Sequence, residues 1–253
     1  MPAPRKVHYN DAVLFITTSL EEGLLMPANP IIKLFLESVL ARAQELYPVC
    51  ICAFLFEANH LHMLLVVKDP NDIKDFMRYI KTESSHAINR MLGRKKRTNW
   101  CEGYDSPIMC KFEMAMEKLI YIYTNPAKDN LESSIELYPH LSSWSMVKTG
   151  RHTRVVPCLA RDDAPYLGTE CRTLYELKKT AKFLRGKASK VKGSYAIEPT
   201  AWLDAFGITE ESDQKLIWEC LVEEIKEKEV HYEALRQKEN KTVIGSKALQ
   251  AAP

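Results

Sequence analysis

Two apolar runs set back to back constrain this chain most. Residues 49–57 read VCICAFLFE and residues 63–67 read MLLVV, with only Ala58, Asn59 and the His60-Leu61-His62 triplet between them. Runs of this length joined by a tight turn predict two adjacent strands turning at 58–59. The first run is apolar at both parities, so its strand is expected to be covered on both faces. In the second, residues two apart share a face, so His60 and His62 present two imidazoles side by side while Leu61 points away.

The elements around this hairpin follow from spacing. A short β-branched run at 11–18 predicts the first strand. Pro30 suits the first turn of a helix, in which Ile32, Phe35, Val39, Ala43 and Leu46 recur at helical intervals until Pro48. After Pro70, a stripe of Ile73, Phe76, Met77, Ile80, Ala87, Ile88 and Met91 predicts a second helix ending at Gly93. Residues 104–112 suggest a fourth strand that Pro107 restricts to an edge or an irregular course, and a third helix is expected over about 113–124, ending at Pro126. Strand, helix, strand, strand, helix, strand matches the split β-α-β arrangement of ferredoxin-like domains. Two helices cover one face of such a sheet, which leaves the third helix for the other. The expected class is α+β, a ferredoxin-like sheet with an added tyrosine-bearing helix and a mainly helical C-terminal extension. The expected division is residues 1–150 and 151–253. Residues 131–168 read as mostly loop, 170–192 as a basic helix with its tail, and about 210–238 as a helix burying Leu216, Ile217, Cys220, Leu221 and Ile225.

A His-x-His pair alone is weak evidence for a metal, because two satisfied histidines are the commoner explanation. An apolar central strand, however, has little use for two neutral imidazoles without partners. Cys50 and Cys52 are unsuitable partners, because strand geometry puts Cys52 roughly 17 Å from His60 at ~3.4 Å per residue, and zinc bonds are only about 2 Å long. On the third helix Tyr121 and Asn125 are four residues apart and share a face, whereas Tyr123 points elsewhere. Asn125 can serve as a helix cap, as a ligand or as both, so by itself it decides nothing. Arg94, Lys95, Lys96 and Arg97 form a basic loop. In 170–192, which includes Lys178, Lys179, Lys182 and Arg185, eight cations face two acids, the pattern of a nucleic-acid surface.

The run Ala58-Asn59-His60-Leu61-His62-Met63-Leu64-Leu65, followed by Tyr121-Ile122-Tyr123-Thr124-Asn125-Pro126, resembles the single-tyrosine HUH transposases, and most nearly their REP-associated branch. Residues 93–104 (GRKKRTNWCEGY), Tyr138-Pro139 and Ser142-Ser143-Trp144 add to a resemblance that spans about 8–148. It implies that His60 and His62 bind metal, that Asn125 is the third ligand, and that Tyr121 is the nucleophile. Asparagine stands where twin-tyrosine relatives carry a second tyrosine, so one nucleophile is implied. The implied ion is Mg2+ or Mn2+, since oxygen ligation by Asn125 and phosphate suits those ions better than zinc. The implied activity is metal-dependent cleavage and rejoining of single-stranded DNA, hairpin-containing, through a 5′-phosphotyrosine. Apart from the resemblance, Lys118, three residues before Tyr121, is positioned to favour the phenolate electrostatically. Two alternatives stay open: a nucleic-acid-binding module without catalysis, and a metal-dependent hydrolase.

Composition bounds the setting. At 253 residues, 46% apolar and 27% charged, the chain has ordinary globular composition, and its net charge of +2 requires any DNA surface to come from local clustering. No apolar run approaches the roughly 20 residues of a membrane span. Seven scattered cysteines without a Cys-x-x-Cys pair suit reduced thiols. The expectation is a cytoplasmic protein, nucleoid-associated in a bacterium, with no membrane partner and with a homodimer permitted.

Overall fold

The computed structural model describes residues 10–95, 98–168, 173–188 and 191–251. Three strands, β1 (Val13–Ser19), β2 (Cys50–Phe56) and β3 (His60–Val66), form an antiparallel sheet in the order β1-β3-β2. The turn falls at Ala58-Asn59, where Glu57 N–H donates to the His60 carbonyl at 2.8 Å. The segment 105–109 runs along the outer edge of β1. Phe15 N–H donates to the Pro107 carbonyl at 3.1 Å, and Met109 N–H to the Val13 carbonyl at 2.8 Å. Pro107 has no N–H to continue the ladder, so the expected fourth strand is an irregular edge. With it, the order is that of a split β-α-β sheet, with β3 central.

Strand parity divides the interior into two cores. Leu14, Ile16, Leu61, Met63 and Leu65 point to the side covered by α1 (Pro30–Leu46) and α2 (Pro70–Leu92), and Val13, Phe15, Leu64 and Val66 point to the side covered by α3 (Phe112–Lys128). In β2 the parity breaks at a bulge between Ile51 and Ala53, which sends both Cys52 and Ala53 to the α3 side. Asn29 caps α1 by accepting from Ile31 N–H at 3.0 Å and Ile32 N–H at 2.9 Å. Gly93 ends α2 with φ 65°.

The free edge of β2 is covered by chain from beyond α3. Phe56 N–H donates to the Leu141 carbonyl at 2.9 Å and Ser143 N–H to the Phe54 carbonyl at 3.0 Å. The Ser143 hydroxyl accepts from Phe54 N–H at 2.9 Å and meets Tyr123 Oη at 2.8 Å. The Ser142-Ser143-Trp144 motif thus closes a sheet edge that would otherwise present unpaired groups.

Three expectations are corrected. The third helix does not end at Pro126 but runs on to Lys128. Proline costs the last turn one N–H without closing it, and Asp129 N–H still reaches the Asn125 carbonyl at 2.9 Å. Residues 131–168 are more structured than expected, holding α4 (Trp144–Thr149) and β4 (Thr153–Pro157), and after α5 (Leu174–Lys187) comes β5 (Lys192–Ala196), which pairs with β4. The Gln44 side chain of α1 fixes β5 by donating to the Ala196 carbonyl at 3.0 Å and accepting from Ala196 N–H at 2.7 Å. In α7 (Glu211–Lys238) only Leu221 and Ile225 of the expected stripe are buried, while Leu216 is 60% exposed. With α6 (Ala201–Asp204) and α8 (Ser246–Ala251), α7 completes the core behind α3 through Trp202, Leu203, Leu221, Ile225 and Leu249.

Candidate metal and tyrosine site

The site lies at the end of the sheet where β3 begins, on the α3 side. His60 and His62 stack with ring centroids 5.7 Å apart and planes 10° apart, and Phe15 of β1 continues the stack on His62 at 5.8 Å. Tyr121 stands edge-on to His62 at 5.3 Å and to Phe15 at 6.1 Å. One turn further along α3, the Asn125 amide donates to Glu57 Oε2 at 2.5 Å and faces His62 Nε2 at 3.1 Å. The structure therefore brings His60, His62, Tyr121 and Asn125 together. Tyr123 points away into the core, as its spacing requires. The cap reading of Asn125 does not hold: Asp129 ends the helix, and Asn125 is buried with its side chain turned to the sheet.

The hydrogen bonds define the imidazole tautomers. His62 Nε2 accepts from Asn125, so its Nδ1–H is left to donate to Thr17 Oγ1 at 3.1 Å. The His60 Nδ1–H donates to Asn59 Oδ1 at 2.7 Å. Both histidines thus keep Nε2 as the lone-pair nitrogen. Burial lowers the pKa of His62 to about 4 and lowers that of His60, with the neighbouring His62 adding to the effect, so both are neutral near pH 7. Burial also raises Glu57 to about 7, helped by Asp129.

Glu57 was not singled out by sequence reasoning. It is fully buried, with Oε2 3.7 Å from His62 Nε2. A signal was present: a two-residue turn at 58–59 places residue 57 opposite His60, and an acid there is out of keeping with the apolar run before it. Two buried oxygens at this site, Glu57 Oε1 and Asn125 Oδ1, have no hydrogen-bond partner. Among the described residues no three His, Cys, Asp or Glu side chains group closely enough to hold an ion by themselves. Two imidazole lone pairs, a carboxylate and an unpaired carboxamide oxygen nevertheless form a donor set that fits a divalent cation with mixed nitrogen and oxygen ligation. Two ammonium groups flank the tyrosine, with Lys118 Nζ 5.6 Å and Lys128 Nζ 4.9 Å from its ring centroid.

The cations expected at a nucleic-acid surface lie elsewhere. Arg94 meets Asn99 at 3.4 Å and Glu22 at 3.8 Å, Lys95 is exposed, and Lys96 and Arg97 lie outside the described residues. Lys178, Lys179, Lys182 and Arg185 are exposed on α5, which packs through Leu177, Ala181 and Leu184 into the core on the α1 side. They are across the sheet from Tyr121.

No helix among the described residues is long and apolar enough to cross a membrane. No curated protein matches the chain. A solved structure described as the REP-associated tyrosine transposase bound to a REP hairpin matches over 60% of this chain and 87% of its own, at 19% identity and a TM-score of 0.49. A family profile described as "Transposase IS200 like" matches residues 27–118, which hold α1, the histidine hairpin, α2 and the start of α3 and stop just short of Tyr121. Residues 27–118 are thus similar to the IS200-like transposases, and the rest of the chain lies outside that match.

Proposed function

We propose that this chain cleaves and rejoins single-stranded DNA through a covalent 5′-phosphotyrosine on Tyr121. The observation that carries the reading is the placement of Tyr121 edge-on to His62 at 5.3 Å, with Asn125 one turn on facing His62 Nε2 at 3.1 Å. A phenol beside two neutral imidazoles and two unpartnered oxygens is the equipment of phosphoryl transfer to protein.

His60 and His62 would hold the ion through Nε2, Asn125 through Oδ1, with Glu57 supplying the anionic charge beside them. In the structure the Asn125 NH2 group lies between Glu57 Oε2 and His62 Nε2, donating where a cation would satisfy the same two acceptors. Turning the carboxamide over exchanges donor for acceptor at that point. A bound Mg2+ or Mn2+ supplies Lewis-acid polarisation of the scissile phosphate. Tyr121 Oη attacks phosphorus; the Oη–P bond forms as the P–O3′ bond breaks, the phenolic proton passes to solvent, and the departing 3′ oxygen takes up a proton. The two lysines stabilise the negative charge that develops on the phenol. Because the diester energy is kept in the tyrosine link, a 3′-hydroxyl from another strand can attack it and restore a diester, which is transfer rather than hydrolysis. Phe15 and His62 restrict the phenol ring, so little orientation remains to be found at the moment of attack. A phosphate has to enter between sheet and helix, which favours single-stranded substrate, with a folded hairpin giving recognition.

The test is incubation with hairpin-bearing single-stranded DNA and Mg2+, followed by denaturing electrophoresis. The expected result is a denaturation-resistant adduct that Tyr121→Phe abolishes while its DNA affinity stays within about tenfold, since only one hydroxyl is lost. Cleavage that persists in Tyr121→Phe would point to water as nucleophile. Binding without cleavage by the unaltered chain would leave a binding module.

A further inference from the structure

A cavity of about 700 Å³ opens beyond the covered edge of β2, between the start of α1, the segment 135–149, α5 and α8. It is not part of the tyrosine site. Tyr138 is one of its lining residues, and its hydroxyl donates to the Phe56 carbonyl at 3.5 Å.

Its polar groups are unbalanced. His140 is 2% exposed and lines the cavity; its Nδ1 accepts from Leu141 N–H at 2.8 Å, so Nε2 carries the hydrogen, and that buried N–H has no acceptor. Lys33 brings an ammonium that donates a long hydrogen bond to the Pro139 carbonyl at 3.5 Å and also feels the Glu37 charge four residues along α1. Arg185 and Lys148 also line the cavity, against a single acid, Glu136. Glu136 is engaged by Lys148 at 2.5 Å and by Trp144 Nε1 at 3.1 Å, and Glu37, whose charge acts on Lys33, is already paired with Arg154 at 2.9 Å, so cations and the His140 N–H outnumber the acids here. A buried donor without an acceptor costs about 1–3 kcal/mol, and an excess of cations around it favours an acceptor that is anionic. Trp144 adds an aromatic wall of the kind on which bases stack.

We propose that this cavity binds a phosphate of a nucleic-acid strand, with Lys33, Arg185 and the His140 Nε2–H as its donors. The volume is within the range of a nucleotide-sized site. Of the basic residues on α5 expected to face nucleic acid, Arg185 lines this cavity together with Lys33, Lys148 and His140. The cavity requires α5 and α8, so it gives the C-terminal hundred residues a binding task. The strand as ligand rests on the DNA reading above; the anion site itself rests on the donor imbalance.

Binding is measured by fluorescence anisotropy with a labelled single-stranded oligonucleotide and by calorimetry with inorganic phosphate, using full-length Tyr121→Phe so that no turnover intervenes. Lys33→Met and Arg185→Ala are each expected to weaken oligonucleotide binding about tenfold or more, as loss of a charge-assisted bond does. Each should also lower the slope of log K against log salt by about 0.7. In the parent protein the His140 Nε2–H resonance should shift on addition of oligonucleotide. Arg185 is exposed, so its variant reads binding without a folding defect. Unchanged affinity and salt slope in Arg185→Ala, or a His140 resonance that does not move, would overturn the proposal. Inorganic phosphate binding as tightly as the oligonucleotide would assign the cavity to a free anion and overturn the strand assignment. The adduct assay is separate: a chain that binds through this cavity but forms no adduct sinks the tyrosine reading and leaves the cavity in place.

Discussion

Asn125 shows how one residue can carry two meanings that only its surroundings separate. Before a proline it has the look of a cap, and four residues after Tyr121 it has the position of a ligand; the structure removes the first by extending the helix to Lys128 and turns the amide to Glu57 and His62. Glu57 is the complementary case, a residue with no motif to announce it and a buried place beside both. Glu57→Gln keeps the shape and removes the charge, so Mn2+ affinity measured by calorimetry should fall about 10–100-fold. Unaltered affinity would leave Glu57 as a hydrogen-bond partner of Asn125 alone. His140 supplies a pH effect. Burial, with the Lys33 charge beside it, lowers its pKa to about 3, against about 6.5 unfolded. Between those values the unfolded chain binds the extra proton, so the stability this residue contributes is present above about pH 6.5 and is lost as pH falls toward 3. Urea unfolding between pH 6 and 4 should lose up to about 1.4 kcal/mol per pH unit through this group. His140→Gln should flatten that slope; an unchanged slope would sink the assignment.

At the scale of elements, the parts with strong local signals form where their sequences put them. The α2 stripe ends at Gly93, the strand pair turns at 58–59, and Tyr121 and Asn125 share a helical face. The gaps are at elements whose stability is borrowed. β4 and β5 are five residues each, too short and too polar for alternation to register. They exist because they pair with one another and because Gln44 bonds to Ala196. Gly93 permits a direct test of an element boundary. Its φ is 65°, and a Cβ there would come within 2.6 Å of Tyr166 Cε2. Gly93→Ala should lower stability by about 1 kcal/mol for the left-handed conformation alone, with a further loss as the Tyr166 ring is displaced. Thermal unfolding measures it, and an unchanged midpoint would mean that the cap relaxes freely.

For the whole molecule, the residues after 150 complete both cores. Val156, Leu159 and Tyr195 join the one under α1 and α2, while Trp202, Leu221 and Ile225 join the one behind α3. The Arg236 guanidinium, buried on α7, donates to the Ala127 carbonyl at 2.6 Å, beside the turn of α3 that carries Asn125. The full chain should therefore unfold in one cooperative transition by calorimetry. A chain ending at 150 should expose apolar surface and lose that transition, because each large side chain withdrawn from a core removes about 3–5 kcal/mol. Two separable transitions in the full chain would show that the parts fold independently. By itself the sequence determined the split β-α-β order, the two-sided burial of β2, and the shared faces of His60 with His62 and of Tyr121 with Asn125, since periods of 2 and 3.6 are properties of the local backbone. Only the tertiary structure decided that Glu57 joins them, that Ser143 closes the β2 edge, and that α5 faces away from the tyrosine while helping to enclose a second cavity. Those relations link residues tens of positions apart in the chain, through packing and hydrogen bonds that no local period records.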